Sequence, residues 1–229
     1  MRVARIAILV PLVAPVALPG GPAPAAETAL RPPAGYYRPV VVDGTTFPVA
    51  RSSWLSYLEF RNDWHEPRFR MIDGEWRLVG FHEGVDIIAE KGTPVVAAAP
   101  GSVEAVGWTF YSGTRVGVHG TDGRYYFYAH LSEVDPGVAV GTPVEAGTVL
   151  GRVGNTGYGP PGRDDAFPPH LHFGIMDGGG WVNPYPMVRS LYRASVAATT
   201  DGERRLARRA DQGRRQAFER LVAKLYLEE

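Results

Sequence analysis

Pro169-His170-Leu171-His172-Phe173-Gly174-Ile175 alternates in character along its length: His170 and His172 fall on one side, Leu171, Phe173 and Ile175 on the other. A period of two is that of a β-strand, in which successive side chains point to opposite faces. The apolar side anchors the strand in a core and so makes the direction of the two imidazoles rigid. Their backbones stand about 6.6 Å apart. Both can bind one metal ion, or one can bind while the other touches a water on the metal.

Outward from this strand, short β-type runs recur at 95–98, 102–106, 115–118, 125–128, 148–153 and 171–176. Glycine-rich breaks separate them at close spacing, which predicts an antiparallel all-β core. The 28 glycines and 20 prolines favour turns over long helices. Gly-Thr-Pro-Val occurs at 92–95 and again at 141–144, a hint of two similar strand–turn units.

Composition narrows the chemistry. The 229 residues are 45% hydrophobic and 21% charged, as in a globular protein and unlike a disordered or multi-spanning chain. A formal net charge of zero removes any global electrostatic case for a nucleic-acid partner. No cysteine is present, which excludes disulfides, thiolate-bound zinc, iron–sulfur clusters and a thiol nucleophile. A metal must therefore sit on His, Asp or Glu.

Phe81-His82-Glu83-Gly84-Val85-Asp86-Ile87-Ile88 places a histidine and an aspartate four apart. Gly84 and the β-branched run disfavour a helix there. On a straight strand the two would lie about 13 Å apart, too far to share one ion at about 2 Å. A metal clip thus requires a bend, and Gly84 is the residue that permits one. In Tyr125-Tyr126-Phe127-Tyr128-Ala129-His130-Leu131, His130 ends an aromatic strand and by alternation shares a face with Tyr126 and Tyr128. Taken alone it reads as a structural histidine, as do His119 at a turn and His65 in a loop.

The termini differ from the middle. Residues 1–5 carry two arginines and no acid, 6–18 are apolar but for Pro11 and Pro15, and small residues lead to Ala23-Pro24-Ala25-Ala26. This order predicts a signal peptide over 1–25, cut after Ala25. The apolar run is short of the ~20 residues that span a bilayer, so no stable membrane anchor is expected after cleavage. The chain is expected to be exported, to the periplasm or beyond. Residues 26–46 read as a Pro/Ala/Gly-rich linker, 47–190 as the folded domain and 191–229 as a helical extension. In the last, Leu206, Ala210, Ala217, Leu221 and Leu225 recur at helical spacing among arginines, weakened by Gly213. Such a basic amphipathic helix can meet an anionic polymer or lipid, or pack on its own domain.

With these segments in order, the chain resembles the lysostaphin-type (LytM-like) zinc endopeptidases. The resemblance rests on His-Glu-Gly-Val-Asp at 82–86, Tyr-Ala-His-Leu at 128–131 and His-Leu-His-Phe at 170–173. Supporting stretches are Asn62-Asp63-Trp64 with Pro67-Arg68, Lys91 to Val95, 147–151, 153–157 and Val182-Asn183-Pro184. It covers about 47–188 and implies a compact β-sandwich or half-barrel built on a duplicated hybrid motif. It also implies that His82, Asp86 and His172 are zinc ligands and that His130 and His170 are catalytic histidines outside the ligand set. The implied activity is cleavage of peptide cross-links or bridges of peptidoglycan by metal-activated water. A silent relative that binds or activates other wall hydrolases is the alternative, and a metal-binding β-domain with both His170 and His172 as ligands is a third. The stretch 158–169 is longer than the family's usual one, and its loop 159–165 is expected to border the cleft. Trp108, Tyr126, Tyr128 and Trp181 are candidates for an extended groove or for core.

Overall fold

In the computed structural model, residues 39–50 and 58–198 are described. The expected signal peptide, most of the expected linker and the amphipathic stretch 201–227 lie outside these residues. β10 (His170–Asp177) is the strand on which the sheet is organised. Its Leu171, Phe173 and Ile175 are buried, as the alternation predicts. β3 (Val85–Ile88) pairs antiparallel with its first half, β7 (Tyr125–Val134) lies along its other edge, and β11 (Gly180–Val182) pairs with its end. Beyond β7 come β6 (Gly113–Gly120), β5 (Gly101–Thr109) and the short β8 (Pro143–Val144). β9 (Val149–Val153) joins β7 to β4 (Pro94–Val96), completing a nine-stranded antiparallel sheet. The expected all-β class holds.

The repeated tetrapeptide forms two matching units. Gly92 and Gly141 adopt φ of 90° and 88°, the left-handed region that only glycine occupies readily. Gly92 N–H donates to Val153 and Val153 N–H to Thr93; Gly141 N–H donates to Val103 and Val103 N–H to Thr142. In each unit the following Pro-Val pair enters a strand, β4 or β8.

Three features differ from the sequence reading. A separate hairpin, β1 (Pro67–Ile72) and β2 (Glu75–Phe81), precedes the sheet. A helix, α1 (Tyr185–Ala197), runs through the expected boundary at 190/191, with Val188 and Leu191 buried in the core. Proline near its start is tolerated because the first helical N–H groups have no partner inside the helix. The end of the expected linker is docked: Thr46 is buried, its N–H donates to Ala98 and its hydroxyl to Val40. Phe47 and Phe60 pack ring against ring with Tyr192 of α1. Among the described residues no helix is long and apolar enough to cross a membrane.

Candidate metal centre and cleft

Asp86 on β3 stands directly opposite His172 on β10, so pairing alone brings their side chains to one face. His82 follows the end of β2, and the chain bends between it and β3. Gly84 sits inside the bend: a Cβ there would lie 2.5 Å from His172 Cε1 and 2.8 Å from the Phe173 carbonyl. The glycine is required by close approach rather than by an unusual φ. The bend removes the ~13 Å separation of a straight strand. His82 Nε2 is 3.0 Å from Asp86 Oδ1 and 2.9 Å from His172 Nδ1, and the last two atoms are 3.0 Å apart. Three converging donors of two imidazoles and one carboxylate fit a divalent ion with an open side toward the cleft.

Further groups hold these donors. His82 Nδ1 donates to the Asp63 carbonyl at 3.0 Å and lies 3.4 Å from its carboxylate, which leaves Nε2 as the inward donor. Burial works to lower the His82 pKa, but the Asp63 and Asp86 carboxylates outweigh it and raise it to about 9. Burial would raise Asp86, yet the surrounding His170, His172 and His82 hold it well below the usual carboxylate value. Arg68 donates to the other oxygen, Asp86 Oδ2, at 3.2 Å.

His130 breaks the alternation of β7. Tyr126 and Tyr128 are fully buried in the core, and alternation would send His130 after them. Its φ of 63° turns the ring into the cleft instead, at a point where the β6–β7 register also slips. This corrects the shared face read from sequence. His130 Nδ1 donates to the Thr156 carbonyl and His170 Nδ1 to the Pro168 carbonyl, both at 2.8 Å. Each ring is left with its Nε2 lone pair. The two rings are 4.8 Å apart, and His170 Nε2 is 3.7 Å from Asp86 Oδ1. Burial, first, lowers the pKa of both below the ordinary histidine value, so both are neutral at pH 7.

The structure thus brings together all five residues singled out in the sequence. The cleft around them measures about 360 Å³, in the range of small-ligand sites. Arg68 and Phe81 stand on one side; Tyr111, Ser112, Tyr158 and Phe167 on another; Phe127, Ala129 and Trp181 lie along the sheet. Tyr158 and Phe167, on either side of the loop, line the cleft, whereas none of the residues 159–165 expected to border it is among the lining. Trp108 Nε1 donates to Gly159, Arg163 to the Tyr158 carbonyl, and Lys91 pairs with Asp164. Of the four candidate groove aromatics, Trp181 lines the cleft and Trp108 braces this loop, while the two tyrosines are core. Glu83 contributes to the cleft's lining. His65 stacks between Trp64 and Phe81, and His119 pairs with Glu104 on the surface, so neither joins the cluster. Asp63, Arg68, Tyr158 and Phe167 had no role assigned from sequence. The quoted stretch Asn62-Asp63-Trp64 with Pro67-Arg68 was the signal for two of them.

A donor triangle beside two oriented, neutral imidazoles, in an open cleft on an antiparallel sheet, is equipped for metal-assisted hydrolysis. Comparison with known proteins makes this specific: residues 80–184 match Peptidase family M23, and the chain belongs to that family. It is 43% identical over 132 residues to an L-Ala–D-Glu endopeptidase of Bacillus subtilis, covering 55% of this chain and 40% of that protein. It is 40% identical over 99 residues to lysostaphin of Staphylococcus simulans, covering 42% of this chain and 18% of that protein. A solved Ruminococcus gnavus structure, described as a glycyl-glycine endopeptidase, superposes with a TM-score of 0.55 at 34% identity over 66% of this chain and 62% of that one. The chain spans less than half the length of either of the two sequence relatives.

Proposed function

We propose that this chain is an exported zinc endopeptidase that cleaves peptide cross-links or bridges in bacterial peptidoglycan. The observation that carries the reading is the convergence of His82, Asp86 and His172 within about 3 Å, flanked by His130 and His170. Zinc held by His82 Nε2, Asp86 Oδ1 and His172 Nδ1 would supply Lewis acidity toward a peptide carbonyl and make water acidic enough to attack near neutral pH. The backbone carbonyls of Thr156 and Pro168 fix the flanking rings with Nε2 facing the cleft. One Nε2 takes the proton from the attacking water and returns it to the leaving amine nitrogen. Phe167, 4.6 Å from the His130 ring and 5.0 Å from His170, shields the pair from bulk solvent. No glutamate of a His-Glu-x-x-His segment is needed, because the two imidazoles occupy the base's place.

The endopeptidase names of the relatives support peptide-bond cleavage, and the signal-like residues 1–25 support export to where murein lies. A silent wall-binding relative has no use for two oriented bases beside a complete donor set. Zymography on purified cell wall, with and without chelator, tests the reading. Hydrolysis should require the metal, and His130→Ala should abolish it while bound zinc is retained. A zinc-loaded chain inert toward all wall peptides would sink it.

A further inference from the structure

We propose that the side of the cleft lined by Arg68, with Arg70 at its rim, is a carboxylate-binding subsite, which directs this chain to peptides carrying a free carboxylate beside the scissile bond. The inference rests on the peptidase reading of the same cleft and names its substrate class. In the β1–β2 hairpin, Phe69 pairs with Leu78 and Met71 with Trp76, which assigns these four to one face. Arg68 and Arg70 alternate with them on β1 and face the other way; Arg68 lines the cleft, and Arg70 stands at its rim through its bond to the lining residue Tyr111. Arg68 touches Asp86 Oδ2 at 3.2 Å, so its guanidinium borders the metal donors. Arg70 donates to the Tyr111 hydroxyl at 3.4 Å and lies over the Phe110 ring at 5.4 Å, which orients it in advance. Tyr111 and Tyr158, their rings 5.7 Å apart, add phenolic donors at the same end.

Asp86, whose Oδ1 belongs to the donor triangle, is the acid that Arg68 meets. A substrate crossing the metal donors therefore meets the Arg68 guanidinium on one flank of the cleft. A glycine bridge offers the arginines nothing beyond backbone. A stem peptide with a free carboxylate offers a charge-assisted, fork-shaped partner.

The test uses the full zinc-loaded chain with three synthetic peptides: an alanyl-glutamyl stem peptide with its free α-carboxylate, the same peptide as the α-carboxamide, and pentaglycine. The wild type should favour the carboxylate over the carboxamide by about tenfold in kcat/KM, the worth of one charge-assisted bond at a half-exposed site. Arg70→Gln should bring that ratio toward one, mainly through KM, and Arg70→Lys should keep part of it. Rising salt should erode the ratio as well. A wild-type ratio near one, or a ratio untouched in Arg70→Gln, overturns the subsite and leaves the peptidase reading standing. If no peptide is cut, calorimetric binding of the same peptides decides. Carboxylate-selective binding lost in Arg70→Gln upholds the subsite while retiring the peptidase; equal binding retires the subsite.

Discussion

Gly84 sets a tight tolerance beside His172. A methyl group at this position would meet His172 Cε1 at 2.5 Å and Nε2 at 2.6 Å, with backbone on the other side to block retreat. Gly84→Ala should therefore shift the His172 ring while sparing the core, and kcat/KM should fall by about 100-fold, as expected for displacements near 1 Å. Bound metal and kcat/KM, measured against an unchanged melting profile of the metal-free protein, check this. Asp63 acts one step further out, through the Nδ1 side of His82. Asp63→Ala should weaken metal affinity about 10–100-fold, read by competition with a chromophoric chelator. A variant with wild-type affinity would show that the backbone carbonyl alone orients the ring. These residues were unequally legible. His170 and His172 announced themselves through a period of two. His82 and Asp86 did so through a spacing that made sense only with a bend at Gly84. His130 was legible as a motif but not in its direction, because a left-handed φ of 63° breaks the alternation on which the direction was read. A buried acid in a loop, such as Asp63, has no periodicity to reveal it.

Among the elements, α1 does more for the core than its position after the last strand suggests. Val188 and Leu191 are buried, whereas Arg189 between them is exposed. Leu191→Ala should cost about 2–4 kcal/mol of stability, from lost burial plus the cavity left behind. Arg189→Ala should stay within about 0.5 kcal/mol. Urea unfolding of the two variants separates a helix that closes the core from one merely appended to it. Pro184 and Pro186 sit at the start of this helix, where the first turn tolerates proline. The β1–β2 hairpin escaped notice. It carries an Asp-Gly turn, with φ of 53° and 82°, and alternating Arg and apolar residues. Its apolar side faces outward, with Trp76 at 67% exposure, so it lacks the β-branched runs that mark core strands. The core strands themselves were readable because each combines alternation with glycine punctuation.

For the molecule as a whole, the donor triangle is also a clasp. His82 follows the hairpin, Asp86 lies on β3 and His172 on β10, so one ion held there would tie the hairpin's exit to the centre of the sheet. The two Gly-Thr-Pro-Val units fix the distant half of the sheet through their own hydrogen bonds, without help from the site. Metal should thus add to stability by mass action and not be required for folding. An ion that binds the native donors alone, present at 1,000 times its Kd, stabilises by about 4 kcal/mol. Chelation should therefore lower the melting temperature and abolish hydrolysis together while leaving a folded β-protein by circular dichroism, and added zinc should restore both. The variants divide this response. His82→Ala should lose the hydrolysis and the zinc-dependent rise in melting temperature; His130→Ala should lose the hydrolysis and keep the rise. If His130→Ala also lost the thermal response, His130 would be a donor to the ion, and the division into three ligands and two bases would have to be redrawn.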